Sequence, residues 1–110
     1  MRTLIPGDAN LLKLDIDAGM KRPRLYDIMR RLHRAGGYRI RYMMEKRSRS
    51  GKGWHIVLKV SPIPKSAAEV VALQVILGSD PDREACNLWR AKMLPKVSPW
   101  WRKRWNVLYT

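Results

Sequence analysis

Two carboxylates and one imidazole carry the chemistry most readily read from this chain. The run Leu11-Leu12-Lys13-Leu14-Asp15-Ile16-Asp17 alternates. A strand there buries Leu12, Leu14 and Ile16 on one face and shows Lys13, Asp15 and Asp17 on the other. Carboxylates at i and i+2 on one strand face offer the oxygen ligands that hard divalent cations such as Mg²⁺ or Mn²⁺ take. Trp54 to Val60 alternates in the same way, with Trp54, Ile56, Leu58 and Val60 set against His55, Val57 and Lys59. If both apolar faces share a core, His55 stands on the open side with Asp15 and Asp17. The turn Ser50-Gly51-Lys52-Gly53 before it supplies backbone N–H groups and a cation for a triphosphate. Metal-bridged phosphates are what nucleotidyl transfer needs, because two ions clamp the attacking and leaving oxygens. Each piece has a plainer reading: exposed acids balancing arginines, a packed histidine, a hairpin turn. Their convergence on one side is the informative feature.

Other elements must hold these groups in place. Pro6-Gly7-Asp8 marks a turn before the first strand. Pro23 suits a first helical turn, and Leu25, Ile28, Met29 and Leu32 form an i, i+3, i+4, i+7 stripe that Gly36-Gly37 closes. Tyr38 to Lys46 reads as a second strand, with Ile40, Tyr42 and Met44 on one side and Arg39, Arg41, Met43 and Glu45 on the other. Arg39, Arg41 and Glu45 are thereby expected on the open face. This strand and the one carrying His55 form a hairpin. Ser66 with Glu69 makes a capping box for a helix over 67–77. A further helix follows from Asp80, Asp82 and Glu84, acids expected to cap it on the far side of the sheet, and runs to about Met93. Cys86, within it, reads as a small core residue. Asn106 to Thr110 is expected as a last short strand.

The order of strand, helix, two strands, helices and strand predicts an α+β fold of the split βαβ, ferredoxin- or RRM-like kind. Such a fold has a four-stranded antiparallel sheet with helices on one face. At 110 residues the chain is read as one domain, with the motif-bearing part at 11–60 and a helical, Trp/Arg-rich part at 61–110. One cysteine excludes a disulfide framework and a Cys-rich zinc site. No apolar run suits a membrane span and no signal-peptide core opens the chain, so an intracellular, cytoplasmic protein is expected, of a virus, plasmid or archaeal element.

The net charge is +14, and residues 21–60 contribute +11 of it. That concentration, dominated by arginine, points to a polyanion as partner. Arg39, Arg41, Arg47 and Arg49 are candidate nucleic-acid contacts. So are Arg102, Lys103 and Arg104, set among Trp100, Trp101 and Trp105, where aromatic rings suit unpaired bases or else seal a core or an oligomer contact. Two histidines exclude a His-x-His metal site on adjacent positions, since His33 and His55 lie far apart, and the Ser-Gly-Lys-Gly run lacks the Walker spacing.

The apolar run ending in Asp15-Ile16-Asp17, followed by Ser50-Gly51-Lys52-Gly53-Trp54-His55 entering a strand, resembles motifs I and II of the archaeo-eukaryotic primase superfamily, the primase–polymerases. The resemblance spans about residues 10–60. It implies an RRM-like catalytic half in which Asp15 and Asp17 hold Mg²⁺ or Mn²⁺, while His55, Ser50 and Lys52 contact the phosphates of an incoming nucleotide. Arg39 and Arg41 would then meet template or primer. That family also places a third carboxylate on the last strand, where Asn106-Val107-Leu108-Tyr109-Thr110 has none. The expected activity is primer synthesis or extension in replication. The alternative is a non-catalytic basic DNA- or RNA-binding protein on the same fold, and a plainer third is a structural protein bound to ribosomal RNA or another protein.

Overall fold

The computed structural model describes residues 11–17, 19–48, 51–93 and Asn106. In chain order these form β1 (Leu11–Ile16), α1 (Leu25–Gly36), β2 (Arg39–Arg47), β3 (Trp54–Ser61), α2 (Ala67–Ile76) and α3 (Pro81–Met93). The architecture is α+β: a three-stranded antiparallel sheet in the order β1-β3-β2, with three helices. β3 is the central strand, antiparallel to both neighbours. It therefore splits the β1-α1-β2 unit as the element order predicted.

The core follows the alternation. Leu12, Leu14 and Ile16 of β1 and Ile56, Leu58 and Val60 of β3 pack with Ile28 and Leu32 of α1 and Val70, Val71, Leu73 and Leu77 of the α2 region. Each such side chain fully removed from water contributes about 1.5–3 kcal/mol. Of the α1 stripe only Ile28 and Leu32 are buried, while Leu25 and Met29 are half exposed. The helix also starts two residues after Pro23, with Arg24 as N-cap. It ends where Gly37 takes the left-handed conformation (φ 69°), and its N–H bonds to His33 O. The Ser66 hydroxyl accepts from the Glu69 N–H (3.2 Å), as the capping box required. Cys86 is exposed, contrary to expectation: the side of α3 turned inward carries Glu84, Asn87, Leu88 and Ala91, and Cys86 lies off it.

Three sheet features depart from the alternation. First, β2 carries a bulge: Ile40 faces Val60 and Tyr42 faces Lys59, leaving Arg41 as the extra residue. Beyond it the strand's phase is reversed. Met43 packs on the core, and Tyr42, Met44 and Lys46 share the face of Lys59, Val57 and His55. Glu45, expected on the open face, instead stands opposite Ile56 and pairs with Arg22 ahead of α1.

Second, the face opposite the helices is not open throughout. Lys13 and its register partner Val57 are 1% and 4% exposed, and Lys13 Nζ donates to Asn106 O (3.0 Å).

Third, no fourth strand occurs among the described residues. The expected strand at 106–110 lies outside them except for Asn106, which sits in a bend. Side chains occupy the outer edge of β1 instead. Gln74 Oε1 accepts from Lys13 N (2.8 Å), Ser79 Oγ from Asp15 N (3.0 Å), and Arg83 Nη1 donates to Lys13 O (2.8 Å). Asn106 Nδ2 donates to Leu11 O (3.3 Å), and Asp80 N to Asp15 O (2.8 Å). Backbone groups that would otherwise recruit a strand are thus satisfied from the α2–α3 connection and its flanks. No described helix is long and apolar enough to cross a membrane.

Candidate metal centre

Asp15 and His55 are direct register partners on β1 and β3, so their side chains leave the sheet on the same face. His55 Nε2 lies 3.4 Å from Asp15 Oδ1. Asp17 follows just past the end of β1 and is exposed. The convergence expected of these three groups is therefore present, but His55, expected on the open side, is buried.

A third acid joins them. Asp15, Asp17 and Asp80 each present a carboxylate oxygen within 4.8 Å of the others. Asp80 does cap α3, accepting from Asp82 N at Oδ1 (3.3 Å) and from Glu84 N at its carbonyl (3.0 Å). The expectation that it caps the helix away from the site is wrong, however. The connection after α2 returns along the free edge of β1, and the Asp80 N–H bonds to the Asp15 carbonyl, which sets the two side chains together. Capping and clustering are served by one residue. Sequence offered a helix stop and restart in Gly78-Ser79-Asp80-Pro81, but nothing in that run states which strand end it meets.

Close approach fixes the far side. Gly53, entering β3, is buried, and a Cβ there would collide with the Ile16 carbonyl oxygen. Gly51 takes φ 74°, a conformation glycine adopts without strain. The 48–53 turn closes on itself: Ser48 O accepts from Gly51 N (2.8 Å), Ser48 Oγ from Gly53 N (3.0 Å), and Ser48 N donates to Gly53 O (3.0 Å). The amides of Gly51 and Gly53, expected to bind phosphate, are therefore committed within the turn. Lys52 is exposed on it.

The electrostatics are those of a site under internal repulsion. Partial burial, then the charges of Asp15 and Asp80 and a hydrogen bond with Asp80, push the Asp17 carboxyl above its ordinary 3.8, with His55 opposing. Burial pulls the His55 imidazole below its ordinary 6.5; Asp15 counters this, while Arg83 and Lys46 add to it. At neutral pH the ring is uncharged. With its proton on Nε2, facing Asp15, Nδ1 becomes a lone-pair acceptor. That Nδ1 is buried and has no hydrogen-bond partner among the described residues.

Three carboxylates form an all-oxygen donor set of the kind Mg²⁺ and Mn²⁺ take. A cation among them would relieve the like-charge repulsion that adds to burial in raising Asp17, so the residues present fit such an ion.

The basic candidates divide. Lys46, opposite His55 on β2, was not singled out from sequence, because only the bulge turns it to this face. Arg39 stands opposite Ser61 on the same face, at the far end of the strand. Arg41 is the exposed bulge residue. Arg47 belongs to the other face: its guanidinium lies over the Trp54 ring (4.3 Å to the centroid), as Arg22 does (4.7 Å), and it donates to Gly51 O (3.1 Å). Arg49, Ser50, Arg102, Lys103 and Arg104, with Trp100, Trp101 and Trp105, lie outside the described residues.

No protein-family model matches the chain, and neither curated proteins nor solved structures give a match.

Proposed function

We propose that this chain is a nucleic-acid-binding, primase–polymerase-like core that carries out metal-dependent nucleotidyl transfer, with Asp15, Asp17 and Asp80 as its metal ligands. The observation that carries the reading is the meeting of these carboxylates beside a buried imidazole with an unsatisfied nitrogen. Asp80, from the α2–α3 connection, supplies the third acid that the sequence 106–110 lacks. Divalent ions in such a site neutralise the charge of transferring phosphates and orient the oxygens of the displacement. The chain's own residues do the rest. The neutral His55 positions Asp15 through Nε2. Lys46, and Lys52 on the hairpin turn, supply positive charge for nucleotide phosphates. The basic span at 21–60 supplies the attraction for template or primer.

Incorporation of labelled nucleotide on a primed and an unprimed template, with Mg²⁺ or Mn²⁺, tests this. Wild type extends or synthesises a primer. Asp15→Ala with Asp17→Ala abolishes incorporation and leaves nucleic-acid binding intact. A wild-type chain that incorporates nothing with either metal overturns the catalytic reading.

A second reading, a non-catalytic nucleic-acid-binding protein on this α+β scaffold, is favoured by the closed hairpin turn, whose glycine amides are not available to a triphosphate. It requires binding that falls steeply with salt and ignores Mg²⁺.

A further inference from the structure

The bulge at Arg41 has a consequence beyond moving Glu45. Directly opposed residues share a face, so the side of the sheet bearing His55 is a grid of three cross-strand rows. They read Leu11–Lys59–Tyr42, Lys13–Val57–Met44 and Asp15–His55–Lys46. The β1 side of this grid is covered at Lys13, and Val57 is covered beside it. The β2 side is not: Tyr42 is 56% and Met44 41% exposed, and Lys46 and Lys59 are exposed as well. Arg39 extends the row beyond Tyr42, opposite Ser61. No acidic residue stands on the β2 or β3 positions of this face.

We infer that this half-sheet, centred on Tyr42, is the docking surface for a single strand of nucleic acid. Charge complementarity selects the occupant. Arg39, Lys46 and Lys59, with no acid among them, attract a polyanion and repel a second copy of the same surface. The exposed ring selects among polyanions: Tyr42, 56% exposed, stands between cations, and among polyanions a strand with unpaired bases is the one that can stack on it. The thioether of Met44, one row nearer the acids, extends the apolar strip. The geometry also gives direction. From Tyr42 to the row of Lys46 is about 13 Å along β2, so a strand stacked on Tyr42 reaches the carboxylates after a short run. The inference deepens the proposed function by assigning its polymer track, but the binding it requires needs no metal and no catalysis.

The test uses the full chain in EDTA and a fluorescent oligonucleotide of roughly 20 nucleotides, as single-stranded DNA, single-stranded RNA and duplex, read by anisotropy. Tyr42→Ala is expected to weaken single-strand binding by about 5- to 150-fold, the range that loss of one stacked base implies, with little change for duplex. Tyr42→Phe keeps the ring and restores affinity. Lys59→Ala and Arg39→Ala each lower the slope of log affinity against log salt by about 0.7, whereas Tyr42→Ala does not. Because binding is read in EDTA, its failure is distinct from failure of the catalytic reading, which needs metal and nucleotide. Three results overturn the inference: wild type that binds no single strand, Tyr42→Ala that binds as wild type, or Tyr42→Ala that loses single strand and duplex alike. Preference for DNA or for RNA names the polymer within the supported outcome.

Discussion

The free edge of β1 meets two polar clusters that differ in how their charges and hydrogen bonds are settled. Toward its middle, Gln74, Ser79, Arg83, Glu84, Asn87 and Asn106 form a network in which opposite charges meet and donors find acceptors. Gln74 Oε1 takes the N–H of Lys13 and Nδ2 of Asn106, and its Nε2 gives to Glu84 Oε1 and Asn106 Oδ1. Glu84, 1% exposed, is paired with Arg83 and accepts from Ser79 Oγ (2.7 Å) and Asn87 Nδ2 (3.2 Å). Two and four residues beyond Lys13, Asp15 and Asp17 crowd like charges together with Asp80, beside an imidazole nitrogen without a partner among the described residues. Buried polarity that is fully satisfied specifies a fold. Polarity left unsatisfied lowers stability, and it marks the place where a ligand would complete the set.

Substitutions that strike each cluster separately are the means of breaking this contrast. The largest effect belongs to the satisfied network. Glu84→Ala leaves the Arg83 guanidinium buried without its carboxylate and is expected to cost about 3–5 kcal/mol in urea unfolding. Gln74→Leu keeps the volume but strips the Lys13 N–H of its side-chain acceptor and removes the two Gln74 bonds to the Asn106 amide, an expected loss of about 1–3 kcal/mol. If either change is neutral, the network is not what holds α2 and α3 to β1.

The carboxylate cluster responds in the opposite sense. A carboxyl whose folded pKa is raised adds stability below its unfolded value of 3.8, and that contribution is lost as pH rises through the folded value. At neutral pH the ionised Asp17 is therefore a burden. Asp17→Asn is expected to raise the thermal midpoint slightly, the exposed side chain being screened by water. A lower midpoint contradicts repulsion within the cluster.

His55 gives the smallest effect, in a separate window. Its folded pKa is depressed, so its contribution is full above 6.5 and fades as pH falls toward the folded value. Unfolding followed between those limits should show stability declining with acidity in wild type and a shallower decline in His55→Gln.

What could be read from sequence was local and periodic. Alternation in β1 and β3 placed Asp15, Asp17 and His55 together, because a register set by one buried face leaves the other face no freedom. The Ser66 cap was legible because its partner is three residues away. The bulge at Arg41 was not: no glycine or proline marks it, and the run 38–46 alternates equally well in either phase. Nor was the role of Asp80, which depends on α2 and α3 coming back along β1 through hydrogen bonds spanning more than sixty residues, such as Asp15 to Ser79. The burial of Lys13 follows from the same return, and from Asn106.

Titration of the protein with Mn²⁺, with free ion followed by electron paramagnetic resonance, tests the proposed metal centre most directly. Saturable binding by wild type that weakens at least about tenfold in Asp80→Asn and in Asp15→Asn, with folding retained, is the expected result. Wild type that leaves the Mn²⁺ signal unchanged, or Asp80→Asn that binds as tightly as wild type, would contradict it.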